Sequence, residues 1–239
     1  MGVVMGVVMG TETSRKKWLP LGAAVLVLNA AQWVVSEAVT AAAWTTPPYS
    51  YATNYISDLG VTGCGTKFQD RVICSPDHTL MNTSFIAQGI LFAAGVILLA
   101  VPLLTGRARR VVIALAGAHA VGFLLVGVFH GSADGPGYSL GLHVGGAAVA
   151  ILCANTIVIM AGSLKSLQLP RAYRVFSVTV GTLGLLSEAG VGVSTSTAGI
   201  FERGGVYSWL LWSVVTGVSL LVTQTRRAAE PKMPENVPA

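Results

Sequence analysis

The sequence predicts an all-α integral membrane protein of six transmembrane helices. Both termini are expected in the cytoplasm, with a disulfide-closed extracytoplasmic loop between helices 1 and 2. Three observations lead there. The first is composition: 53% of the 239 residues are hydrophobic and only 10% are charged, where a soluble domain carries about 25% charged residues. The second is that six apolar stretches each reach the roughly 20 helical residues needed to cross about 30 Å of hydrocarbon. The third is the placement of Lys and Arg at the ends of those stretches, which is a topology signal.

In chain order, residues 1–17 are expected to be a disordered cytoplasmic N-terminus. Met-Gly-Val-Val is followed by a second copy and another Met-Gly before Arg15, Lys16 and Lys17. The apolar part is too short to span and precedes the charges, opposite to a signal peptide. Met1, Met5 and Met9 are alternative starts. The transmembrane domain covers 18–224, with spans at about 18–44, 79–104, 111–130, 138–162, 174–198 and 205–224, rich in Leu, Val, Ala and Gly. Small residues let helices approach closely in lipid. Residues 225–239, rich in Pro and charge, read as a disordered cytoplasmic tail.

Orientation follows from the basic residues. Arg15, Lys16 and Lys17, then Arg107, Arg109 and Arg110, then Lys165, Arg171 and Arg174, then Arg226, Arg227 and Lys232 fall on one side. Lys67, Arg71 and Arg203 fall on the other, so 12 of the 15 mark the cytoplasmic face. The net charge of +5 therefore gives no nucleic-acid patch, because no basic run is interleaved with aromatics. The outer face receives the loop 45–78, the turn 131–137 with Asp134, and the turn 199–204. Asp134 lies among Gly and Pro and reads as turn chemistry.

Cys64 and Cys74 lie in that outer loop, in an oxidising compartment on this topology, and are expected to form a disulfide. A metal pair would want tighter spacing and further partners. Cys153, inside the fourth span, reads as a small apolar residue.

Polar residues at membrane depth are costly and each needs a reason. They are Glu37, Gln88, His119, Glu188, His130 and His143. His119 and His130 are eleven residues apart, close to three helical turns, and share a face. This suggests a polar cleft open to the outside, floored by Glu188 and His119, with Asp58, His78, Asn82, His130, His143 and Glu202 at its rim. The bland reading stands beside it: a lone intramembrane Glu is about as often a helix-packing hydrogen bonder as a catalytic group, and a lone His such as His119 is more often structural. Trp44, Trp209 and Trp212 fit an interfacial aromatic belt.

At these residues the chain resembles the domain-of-unknown-function 998 family of multi-pass bacterial membrane proteins, over roughly residues 18–224. The likeness rests on Ile56-Ser57-Asp58-Leu59-Gly60, His78 with Asn82, His130-Gly131, His143, and Glu202-Arg203 ahead of Tyr207, Trp209 and Trp212. The Ile-Ser-Asp-Leu-Gly element is also similar to that of a wider six-span group containing eukaryotic GPI-lipid remodelling and autophagy-modulator proteins. The resemblance implies a six-helix bundle in the bacterial plasma membrane, with an outward polar site and a link to lipids. It does not extend to the cysteine pair.

Three functions compete. An enzyme would act on a membrane lipid or isoprenoid by acid/base chemistry. Asp58, His78, His130, His143, Glu37 and Glu188 are its catalytic candidates, and Asn82, Glu202, Arg203 and Trp209 its substrate-binding candidates. A terpene cyclase is a variant, drawing on Glu37 and Glu188 as proton donors and on Trp33, Trp209 and Trp212 for cation stabilisation. The second function is a non-catalytic lipid-binding or assembly subunit of a cell-envelope complex. A transporter ranks last, since no inverted repeat is present. No HExxH-like spacing marks a metal, and the sequence names no cofactor and no protein partner.

Overall fold

The structure is a computed structural model describing residues 2–68, 71–131, 139–193 and 195–229. Six helices dominate it: α1 (Gly2–Ala43), α2 (His78–Leu103), α3 (Gly106–Val128), α4 (Leu140–Ser163), α5 (Arg171–Gly190) and α6 (Ala198–Ala229). Each packs against its neighbours in sequence, and α6 closes against α1, so the helices form a ring. Among the described residues five helices are long and apolar enough to cross a membrane: α1 from Lys17 onward, α2, α3, α4 and α6. The chain is thus an α-helical protein of the multi-pass membrane type.

Glycine sets the closest approach in the ring. A Cβ on Gly122 of α3 would sit 2.5 Å from the Gly146 carbonyl oxygen of α4, and one on Gly146 would sit 2.7 Å from that of Gly122. The two backbones touch there, as small residues permit in lipid.

Several boundaries differ from the sequence reading. α1 begins at Gly2, so the expected N-terminal tail continues the first helix. The expected C-terminal tail is helical as far as Ala229, and 230–239 lie outside the described residues. The fifth helix ends at Gly190 rather than near residue 198. α6 starts at Ala198, which places Glu202 and Arg203 inside a helix rather than in a turn. The cause is the loop after α1: Ile200 N–H donates to the Ala52 carbonyl at 3.2 Å, and a Cβ on Gly199 would meet the Asn54 oxygen at 2.3 Å. The loop backbone lies across the start of α6 and leaves room only for glycine. Asp134 and the rest of 132–138 fall outside the described residues.

The loop 45–78 is partly strand. β1 (Cys64–Phe68) and β2 (Arg71–Cys74) form an antiparallel hairpin. Cys64 and Cys74 face each other in its register and are disulfide-bonded. Gly65, at φ 89°, takes up the register shift beside the bridge.

Candidate functional site

The polar residues gather at the loop end of the ring, in two bonded knots and one pocket. The first knot centres on Asp58. Residues Ser57–Gly60 form a short 3-10 turn whose Asp58, Leu59 and Gly60 are buried. Asp58 Oδ2 accepts from Asn54 Nδ2 at 3.1 Å, from the Tyr55 backbone N–H at 3.0 Å and from Arg71 Nε at 3.0 Å. Arg71 stands on β2, with its guanidinium 4.4 Å from the centre of the Tyr55 ring. The disulfide-closed hairpin therefore delivers the cation that neutralises Asp58. Asn82 of α2 donates to the Gly60 carbonyl at 2.8 Å, and Ser75 Oγ donates to Leu59 O at 2.6 Å. A Cβ on Gly60 would lie 2.3 Å from Asn82 Oδ1, so the Asn82 contact requires glycine.

The second knot joins α1, α6 and the loop through Arg203. Its Nε donates to Glu37 Oε1 at 3.0 Å, and Nη2 lies 2.9 Å from the same oxygen. Nη1 donates to the carbonyls of Tyr51, Asn54 and Gly199 at 2.7, 2.9 and 3.1 Å, and Nη2 also donates to Tyr49. The other Glu37 oxygen accepts from Trp33 Nε1 at 3.1 Å and from Tyr207 at 2.9 Å. Burial holds the Tyr49 phenol above its ordinary range although Arg203 stands beside it. Tyr49 thus stays protonated and donates to the Tyr55 carbonyl at 2.9 Å. Every donor of Arg203 and both oxygens of Glu37 are engaged.

Between these knots and α4–α5 lies a pocket of about 310 Å³. Asp58, His143, Glu188 and Glu202 reach it, against a wall that includes Val61, Ile73, Leu140 and Ile151. Glu202 accepts from the Ile56 backbone N–H. Glu188 differs from the other acids, because its Oε2 is buried without a hydrogen-bond partner among the described residues. A Cβ on Gly205 would sit 2.8 Å from that oxygen, so the missing side chain on α6 makes its berth. Deeper in, Asn155 of α4 donates to the Gly205 carbonyl at 3.0 Å and accepts from Ser208 at 3.1 Å. These bonds fix α4 against α6 under the pocket.

Tautomers follow from partners. His143 Nδ1 lies 2.6 Å from the Phe129 carbonyl oxygen, which can only accept, so Nδ1 carries the proton. The Nε2 of neutral His143 is then an acceptor. The same reasoning gives His78 an Nδ1–H bonded to Ser75 O at 3.0 Å, and His119 one bonded to Ala150 O at 2.9 Å. His130 Nε2 is 3.3 Å from Thr62 Oγ1.

The expected cleft is thus divided. His119 does not floor it. It is fully buried in an aromatic cluster, with Phe92, Phe123 and Trp209 ring centres 4.5, 4.9 and 5.8 Å away. Gln88 is likewise in the core, and its amide has no hydrogen-bond partner among the described residues. His78, Asn82 and His130 tie loop to helix outside the pocket. Trp44, Trp209 and Trp212 are buried rather than forming an interfacial belt, because each packs inward; Trp212 Nε1 donates to Ser177 of α5 at 3.1 Å. Arg71, Tyr49, Tyr51 and Asn155 were not anticipated. Asn155, polar at membrane depth, carried the one signal that could have been read. Among the described residues no group of three or more His, Cys, Asp or Glu is placed to hold a metal ion.

Residues 27–219 match the family described as Protein of unknown function (DUF998). No curated protein and no solved structure matches the chain.

Proposed function

The chain belongs to the DUF998 family, and we propose that it acts on a lipid or isoprenoid at the outer face of a bacterial plasma membrane, by acid/base chemistry centred on Glu188. In this reading all six helices span, both termini are cytoplasmic, and the disulfide hairpin lies outside. The distribution of Lys and Arg supports that orientation, and α5 holds a full place in the ring between α4 and α6.

One observation carries the reading: Glu188 presents a buried, unpartnered carboxylate oxygen at a pocket whose wall is largely apolar. Ligand sites have this build, an apolar cleft with a few convergent polar groups. A hydrocarbon chain would lie along Leu140, Val144 and Ile151, with its polar head at Glu188, Glu202 and the His143 acceptor nitrogen. Glu188 would transfer the proton, since Asp58 and Glu37 are each committed to an arginine. Asp58 then serves to hold the loop that forms one wall. The aromatic faces required by a cyclase, Trp33 and Trp209, are filled by Phe123 at 5.5 and 6.1 Å, and the pocket wall does not include them.

The test is purified protein in nanodiscs, supplied with extracted lipids and isoprenyl phosphates, with products followed by mass spectrometry. Glu188→Gln is expected to reduce turnover by about 10²-fold or more, with an unchanged melting temperature. Bound lipid without turnover in either protein would instead support a non-catalytic lipid-binding subunit. The saturated bonding of Asp58 and Glu37 favours that second reading.

A further inference from the structure

A second cavity, of about 370 Å³, lies at the opposite end of the ring, and no residue lines both it and the outer pocket. It is enclosed by the last turns of α2, α4 and α6 and the first turns of α3 and α5. Leu99, Leu104, Val112, Ile157 and Trp212 line it, and each is less than 9% exposed. These side chains face the bundle interior rather than the surrounding bilayer. A packed interior ordinarily leaves few voids larger than a water molecule, and this volume falls in the range of ligand sites, about 300–1,000 Å³. Tyr173 and Thr216 are among the few polar groups in the wall, and they bond each other at 2.6 Å.

The rim identifies the occupant. Lys165 stands between the lining residues Leu164 and Leu167, and Arg171 directly follows the lining Pro170. Arg107, Arg109 and Arg110 occupy the first turns of α3, ahead of the lining Val112. All five are exposed. An apolar slot that ends in a cluster of exposed cations matches an amphiphile with an anionic head and a hydrocarbon tail.

We propose that this cavity holds one acyl chain of an anionic phospholipid, whose head group is bound by Lys165, Arg171 and the α3 arginines. The test is native mass spectrometry of the full chain in detergent, titrated in parallel with dioleoyl phosphatidylglycerol and dioleoyl phosphatidylcholine. Retention of phosphatidylglycerol is expected to exceed that of phosphatidylcholine by more than about ten-fold, since each surface cation contributes about five-fold. The variant in which Lys165, Arg171, Arg107, Arg109 and Arg110 all become Ser changes only exposed side chains and is expected to lose most of that preference. Ala161→Phe, which fills the slot, is expected to abolish retention of both lipids. Equal retention of the two lipids by the unaltered protein would overturn the proposal, as would a preference that survives the loss of all five cations. Retention of neither would overturn lipid occupancy altogether.

Discussion

At the scale of single residues, the decisive contrast is between acids that are bonded and one that is not. Glu37 and Arg203 are 1% and 7% exposed, and removing one partner of such a pair strands the other charge in an apolar interior. Lysine cannot replace Arg203, because a single ammonium cannot serve Glu37, three carbonyls and Tyr49 together. Arg203→Met, which strands the Glu37 charge, should therefore lower stability by about 3–5 kcal/mol. Arg203→Lys, which keeps the charge but not the carbonyl bonds, should lower it by about 1–3 kcal/mol. Each is read as a drop in melting temperature by scanning fluorimetry in detergent. Glu37→Met/Arg203→Met removes both charges but still strands Trp33 Nε1, Tyr207 and three carbonyls, so it should recover only part of the Arg203→Met loss. A single Arg203→Lys change within about 0.5 kcal/mol of the parent would show that the knot holds little. Glu188 gives the opposite expectation, because no bond is lost when it becomes Gln. The sequence marked Glu37, Asp58 and Glu188 alike, as acids in or beside membrane spans. Which were neutralised depended on Arg71 and Arg203, 13 and 166 residues away from their partners. No local pattern carries such distant pairings.

At the scale of elements, the hairpin was the part of the loop least visible in the sequence. Its strands are 5 and 4 residues long, and neither shows an alternation long enough to read. The cysteine pair was legible, because two cysteines isolated from other ligands, in a loop expected on the oxidising side, leave a disulfide as the simple outcome. The bridge closes a short loop, so the chain-entropy model limits its contribution to about 3 kcal/mol. It also fixes the strand that carries Arg71 to Asp58. Cys64→Ser/Cys74→Ser should thus cost about 2–3 kcal/mol by thermal unfolding and expose residues 60–75 to limited proteolysis. Arg71→Met in the bridged protein should loosen the Asp58 turn without opening the hairpin. If the double serine variant unfolds and cleaves like the parent, the bridge does not organise this loop.

At the scale of the whole molecule, five apolar helices and their order were legible because length and composition alone decide which segments lipid accepts. The sixth is the instructive case. α5 has 20 residues and carries Arg171, Arg174 and Glu188, so it lies at the edge of what hydropathy can identify. Its role emerges from the ring: without it, α4 and α6 lose the neighbour they share. The charge rule then makes a sharp demand. If α5 crosses, the α4–α5 connection and the α5–α6 connection lie on opposite sides of the membrane. Cysteine placed at Ser166, exposed in the first, and at Val193, 77% exposed in the second, tests this in a Cys153→Ser background. In intact cells an impermeant maleimide should label Val193→Cys directly and Ser166→Cys only after permeabilisation. Labelling of both from outside, or of neither, would mean that α5 lies along one face. Glu188 would then not face an outward pocket, and the acid/base proposal would fall with the sixth span.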